Sequence, residues 1–392
     1  MNNIDYYNSL IINEKTILNR PKVNYRFKIV YAIAMLSVIA SHCRGKGSIE
    51  FNIQGWFNYG SFHMPLFMFS AGYFFKNKNV NHTCLYIYGK FKRLIIPIYL
   101  YNIFYGFYNH LLKNIGFENI RPFSFRIIFI EPSIGKGYRN VLPSWFCSAL
   151  FCVQVYNILK RKLTTTIFKK KTHELFYLII DFFISSYSVI LSNKGYNNIT
   201  AYRIILRFTH LNIYYELGIF YKNDIEAFVE NIKSDIYFII IFTLKLLFHL
   251  YYSKEINFYY GASQYYNYSP LTVIIISILG ISFWIRICRI LEPILGTIFY
   301  INIIADNTYS IMINHLAAID IIKMFFAFIS KKTHYCKNFD FKRFYLFDSS
   351  YIYIPNNVRQ SGILYFISSL YIPIIIQKAI DNIKKIINFS GL

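Results

Sequence analysis

Apolar runs long enough to cross a hydrocarbon core of about 30 Å recur along the whole of this sequence, and basic residues punctuate the breaks between them. They fall near 27–43, 56–76, 94–112, 143–160, 175–192, 200–221, 236–252, 270–287, 308–329 and 361–378. Runs of that length read as helices, so the expected fold class is all-α, a polytopic transmembrane helix bundle of about ten spans. Charge agrees with this. The formal net charge is +23, from 42 Lys and Arg against 19 Asp and Glu, although 55% of residues are hydrophobic and the mean hydropathy is +0.34. A water-soluble domain seldom combines both properties, so the excess charge belongs mainly to loops.

A basic chain can also be a nucleic-acid binder, but that requires Lys and Arg clustered on a soluble module, and no such module is visible. No nucleic-acid partner is therefore expected; the lipid bilayer is. Joint heavy use of Ile, Lys, Asn, Tyr and Phe is what an AT-rich genome imposes, so the aromatic content alone argues for nothing. Cys43, Cys84, Cys147, Cys152, Cys288 and Cys336 are scattered without C-x-x-C or ligand-like spacing to His, which supports neither a disulfide framework nor a metal site.

Residues 1–26 are polar and lack a small-residue cleavage site behind a short apolar core, so they read as a cytoplasmic segment and the first helix as a retained anchor. The layout expected is 1–26 as that segment, 27–378 as the membrane domain and 379–392 as a short basic tail. Orientation follows the basic residues of the short loops. Lys15, Arg20, Lys22, Arg26 and Lys28 precede the first span; Lys76, Lys78, Lys90, Lys92 and Arg93 follow the second; Lys160, Arg161, Lys162, Lys169, Lys170 and Lys171 follow the fourth. All three groups fall on one side, taken as cytoplasmic, which leaves both termini inside and Cys43 and the 113–142 loop outside. Glu292–Ala305 is apolar but short, as a buried or re-entrant segment would be. The loop Lys331–Gln360 carries six basic and two acidic residues and yet is expected outside.

Ionisable side chains in hydrocarbon are costly and mark function by default. His42 ends the first apolar run, and His63 opens the segment His63-Met64-Pro65-Leu66-Phe67. Pro65 suits the first turn of a helix, and Ser70-Ala71-Gly72 lets another backbone come close. With Lys92-Arg93-Leu94-Ile95-Ile96-Pro97, Trp145-Phe146, Leu150-Phe151 and Asn307 to His315, these motifs occur in an order that spans about residues 25 to 378.

In that order they resemble acyltransferase family 3, the bacterial membrane O-acyltransferases, and especially its fucose O-acetylase-like subgroup. The resemblance implies an O-acyltransferase of the bacterial cytoplasmic membrane, using acetyl-CoA or another acyl-CoA as donor substrate without a bound cofactor, and a saccharide acceptor in the cell envelope. It implies His42 as the catalytic base, a role a neutral imidazole suits at neutral pH, with His63 assisting as a second catalytic residue. Acyl-CoA carries several phosphates, so Lys90, Lys92 and Arg93 at the inner face are the expected donor-binding cations. One position departs from the family: Arg or Lys usually stands eleven residues before the first-helix His, and here that residue is Tyr31, with Lys28 on roughly the same face as a substitute.

Arg203, Arg207 and His210 share one face at i, i+4 and i+7 and are candidates for acceptor binding. His315 is a further candidate for the bundle interior or the acceptor. Asp181, Lys245 and His249 are intramembrane candidates without a role, and Asp320 and Lys323 are spaced to neutralise each other. A transporter or flippase for a lipid-linked saccharide is the main alternative. It predicts repeated halves, and none is visible. A multi-span glycosyltransferase would place acids in the first outer loop, which offers only Glu50.

Overall fold

The computed structural model describes residues 23–43, 56–134, 137–168, 173–253, 256, 258, 260, 266–333, 335–348, 351–355 and 358–389. Lys15, Arg20, Lys22, Glu50 and Lys169–Lys171 lie outside these. Among the described residues there is no strand. The helices are α1 (Tyr25–His42), α2 (Tyr59–Tyr73), α3 (Thr83–Lys90), α4 (Ile96–Asn114), α5 (Trp145–Phe168), α6 (Glu174–Asn193), α7 (Thr200–Phe220), α8 (Glu226–Asn231), α9 (Ser234–Tyr252), α10 (Pro270–Leu295), α11 (Phe299–Asp306), α12 (Thr308–Lys332), α13 (Phe341–Tyr345) and α14 (Gly362–Phe389). A helix lies at each of the ten expected spans. Six helical segments, those ending in α5, α6, α9, α10, α12 and α14, are long and apolar enough by length and composition to cross a membrane.

The short segment Glu292–Ala305 is not one helix. α10 ends at Leu295, and the eight-residue α11 follows after a break. At 1.5 Å per residue α11 spans about 12 Å, less than half of a bilayer core. α14 runs on past the last expected span to Phe389, so residues 379–389 of the expected basic tail are helical.

α1 is the hub, packing against α2, α10, α11, α12 and α14. Helices apolar on every face are stable only when surrounded, and of α2 every residue except Ala71 is buried. By contrast α9 buries only Ile241 and Lys245 and packs on α10 alone among its larger contacts. α2 and α7 approach backbone to backbone. A methyl group built on Gly72 would lie 1.9 Å from the Tyr215 carbonyl oxygen, and one on Gly218 would lie 2.0 Å from that of Phe69. The small-residue seam thus makes the close approach it suggests.

Pro65 is not in the first turn of α2, which begins at Tyr59. An interior proline deprives the carbonyl four residues back, that of Ser61, of its helical donor. Ser277 Oγ on α10 donates to that oxygen at 2.7 Å, so a neighbouring helix restores the bond.

Two buried charge clusters tie elements together. Lys160 and Arg161 of α5 meet Asp181 and Glu174 of α6 and Glu216 of α7, with Asn157 donating to Glu216 at 2.7 Å. Toward the other end, Asp320 of α12 takes both Lys323 at 2.9 Å and Arg139 at 3.0 Å. The expected Asp320–Lys323 pair is therefore one side of a larger cluster. The loop after α12 closes over it, with Arg139 donating to the Phe347 carbonyl.

Candidate active site

A cavity of about 470 Å³ opens between α1, α2, α3, α5 and α12. Its wall is largely aromatic and aliphatic: Phe67, Phe74 and Phe75 from α2 and its end, Phe146 and Leu150 from α5, Tyr309 and Met312 from α12. Lys76, Lys90 and Arg93 line it as well, and no acidic residue does among the described residues. Lys76 and Arg93 are exposed and Lys90 is half-buried, which makes this the mouth. Lys90 lies outside the apolar part of α4, and its ammonium is pushed down to about 8, by burial first and by the neighbouring Arg93 second. The positive charge of Lys90 is thus disfavoured while the cavity is empty, and an anion beside it would offset that.

Lys92 points elsewhere: it is exposed and does not line the cavity, because α3 continues through a π-helical turn at Phe91–Ile95 that puts Lys90 and Arg93 on the cavity side. Tyr31, at the position where a cation was expected, forms part of the wall 6.0 Å from the Phe67 ring. Lys28 does not replace that cation. It forms an ion pair with Asp306 at the end of α11, next to the wall residues Ala305 and Thr308.

None of His42, His63 and His315 lines the cavity itself, but on three helices the stripe of residues that does carries one of them one or two turns beyond the wall. On α1, Tyr31 and Met35 line the cavity, and His42 is seven residues further on the same face. On α12, Thr308 and Met312 are followed by His315 at i+7 from Thr308. On α2, which runs the other way, Phe67 and Ala71 are preceded by His63. The stripes on α1 and α12 meet, for the His42 and His315 rings lie 4.8 Å apart. His42 is exposed at the end of α1, whereas His315 is fully buried. His63 is buried, and its Nδ1–H donates to the Tyr59 carbonyl one turn back.

Arg203, Arg207 and His210 share one face of α7 but have different partners. Arg203 donates to the carbonyls of Asn197 at 2.7 Å and Asn198 at 3.3 Å, capping the turn before α7. The Arg207 guanidinium lies over the Trp145 ring at 4.9 Å. His210 sits in a buried hydrogen-bonded chain, 2.7 Å from Ser185 Oγ and 3.2 Å from Tyr260 Oη, which continues to Ser277 and the Ser61 carbonyl. Their common face is a helix-packing face. Among the other intramembrane candidates, Asp181 pairs with Lys160 at 2.6 Å, Lys245 is buried with its ammonium 5.8 Å from the Phe57 ring, and His249 is exposed on α9.

Sequence reasoning missed Lys76, Gln154, Cys147 and Tyr309, all in the wall. The i, i+4 spacing of Tyr31 and Met35 was a signal for part of it. Among the described residues no three His, Cys, Asp or Glu side chains converge as a metal site would require.

A family model described as an acyltransferase domain matches residues 24–378, nearly the whole chain. No curated protein and no solved structure matches it. The chain belongs to acyltransferase family 3, as its motifs suggested, and is a membrane acyltransferase.

Proposed function

We propose that this acyltransferase moves an acyl group, acetyl, from cytosolic acyl-CoA to a hydroxyl of a cell-surface glycan or its lipid-linked precursor, in a bacterial cytoplasmic membrane. The observation that carries the reading is the cavity with a purely cationic mouth whose stripes run on toward the His42–His315 pair. The phosphates of the donor bind Lys90, Arg93 and Lys76, Arg93 in the bidentate manner a guanidinium offers. The pantetheine arm follows the apolar wall between α1 and α12. From Tyr31 to His42 is about 16 Å along the helix axis, a distance that an extended arm covers.

At the far end, His42 takes the proton of the acceptor hydroxyl as its oxygen attacks the thioester carbonyl carbon. The C–S bond breaks, the ester forms, and the proton passes from His42 to the departing thiolate of CoA. No net proton is consumed. An alcohol is a weak nucleophile at neutral pH, and a positioned base contributes typically about 10²–10⁴-fold. His63 stands on the third stripe with its Nδ1–H given to the Tyr59 carbonyl, so its Nε2 is an acceptor and its role is to assist His42 rather than to donate to the thioester carbonyl.

The test is transfer of labelled acetyl from acetyl-CoA to surface polysaccharide in cells with and without the gene, followed by purified variants in nanodiscs. His42→Ala is expected to lower turnover by at least about 10²-fold while acyl-CoA still binds, and His42→Gln not to rescue it. Near-normal turnover in His42→Gln would remove His42 from the role of base.

A further inference from the structure

Neutral imidazole has one N–H and one lone pair, and what holds the first decides where the second points. In His315 the Nδ1 atom lies 2.9 Å from the Ile311 carbonyl oxygen. A carbonyl oxygen only accepts, so Nδ1 carries the proton and Nε2 is left as an acceptor. That Nε2 is buried and has no hydrogen-bond partner among the described residues, in a side chain with no solvent exposure. A buried acceptor without a donor is destabilising, so its position calls for a donor that arrives. The His42 ring is the neighbour, 4.8 Å away between centroids and tilted by 49°.

Resting on the reading of His42 as the base, we propose that His315 is its positioning residue, accepting an N–H from His42 and so fixing the tautomer in which the other His42 nitrogen presents its lone pair to the acceptor hydroxyl. The backbone of α12 thereby sets the protonation pattern of two rings in series: the Ile311 carbonyl holds His315, and His315 holds His42. Catalytic hydrogen bonds are often loose in the unliganded enzyme and tighten with substrate bound, and the two rings already lie next to each other. Once His42 has taken the proton, its bond to His315 becomes charge-assisted and strengthens as positive charge develops. No carboxylate is needed for that task here. The nearest acid on α12, Asp320, is committed to Arg139 and Lys323.

His315→Phe keeps a ring of similar size and removes the acceptor; His315→Gln keeps an acceptor. The purified full-length protein in nanodiscs is assayed for acetyl transfer and, in parallel, for binding of a thioether analogue of acetyl-CoA. His315→Phe is expected to lower kcat by about 10- to 100-fold, the worth of a hydrogen bond to a charged group, with donor KM and analogue affinity within twofold of wild type. His315→Gln recovers most of the loss, and in the His42→Ala background His315→Phe removes nothing further. Unchanged kcat in His315→Phe, no recovery in a Gln variant that still binds the analogue, or an equal loss in the His42→Ala background each overturns the positioning role. A fully active His42→Ala protein overturns the base assignment itself; a silent His315→Phe beside an inactive His42→Ala overturns this inference alone.

Discussion

Gly218→Ala is the sharpest test of how the bundle is held together. The added methyl group would lie 2.0 Å from the Phe69 carbonyl oxygen and 2.8 Å from the Tyr73 nitrogen, both backbone atoms of α2. Neither can rotate away, so α2 and α7 must separate by roughly 1 Å along a seam that Gly72 closes reciprocally against Tyr215. Overpacking costs typically about 1–3 kcal/mol, and a rigid backbone obstacle puts this case at the upper end, close to two powers of ten in the folded-to-unfolded ratio. Gly89→Ala is the control. On α3 a methyl group at Gly89 meets nothing within 4 Å, so the same substitution there stabilises by about 0.5–1 kcal/mol through backbone entropy. Thermal unfolding of the reconstituted variants, followed by circular dichroism, is expected to show Gly218→Ala several degrees below wild type and Gly89→Ala level with it or above. Since α2 carries Phe67 and Ala71 of the cavity wall, Gly218→Ala also weakens acyl-CoA binding. Equal stability of the two variants would refute the backbone-to-backbone packing of α2 and α7.

Arg93→Ala is expected to raise the donor KM with Arg93→Lys recovering only part of the loss, whereas Lys92→Ala, outside the cavity, leaves it unchanged; equal effects of the two alanine variants would contradict the assigned mouth. Donor affinity depends on pH through Lys90. Its ammonium loses its proton near pH 8 in the empty cavity, and bound phosphate raises that value, so affinity is full below about pH 8 and falls as pH rises above it. The fall should vanish in Lys90→Met, measured by titration with the thioether analogue. Arg161→Ala leaves Glu216 and Glu174 in the buried cluster without their shared guanidinium. It is expected to destabilise by about 3–5 kcal/mol, and Arg161→Ala/Glu216→Gln to recover part of this; a stable single variant would show that water reaches the cluster.

The positions of the helices were legible because each must cover its length of bilayer with apolar side chains, a demand written locally in the sequence. So were Gly72 as a contact point and His42 as a candidate, since an imidazole at the end of an apolar run is anomalous wherever the chain goes. Partner choice was not legible. Arg203, Arg207 and His210 are spaced like a functional stripe, yet Arg203 caps a turn, Arg207 covers Trp145 and His210 joins a hydrogen-bonded chain across five segments. Lys28 has the right face and reach to stand in for a cation at Tyr31, but Asp306, 278 residues away, claims it.

The sequence by itself therefore determined the class, the helices, the family and the residue types able to do acyl transfer. Tertiary structure alone decided that Lys90 and Arg93 share a cavity mouth while Lys92 does not, that Ser277 repairs the bond broken by Pro65, and that His42 lies against His315. The physical reason is that periodicity specifies which face of a helix is buried, but which neighbour it is buried against depends on the packing of helices far apart in sequence.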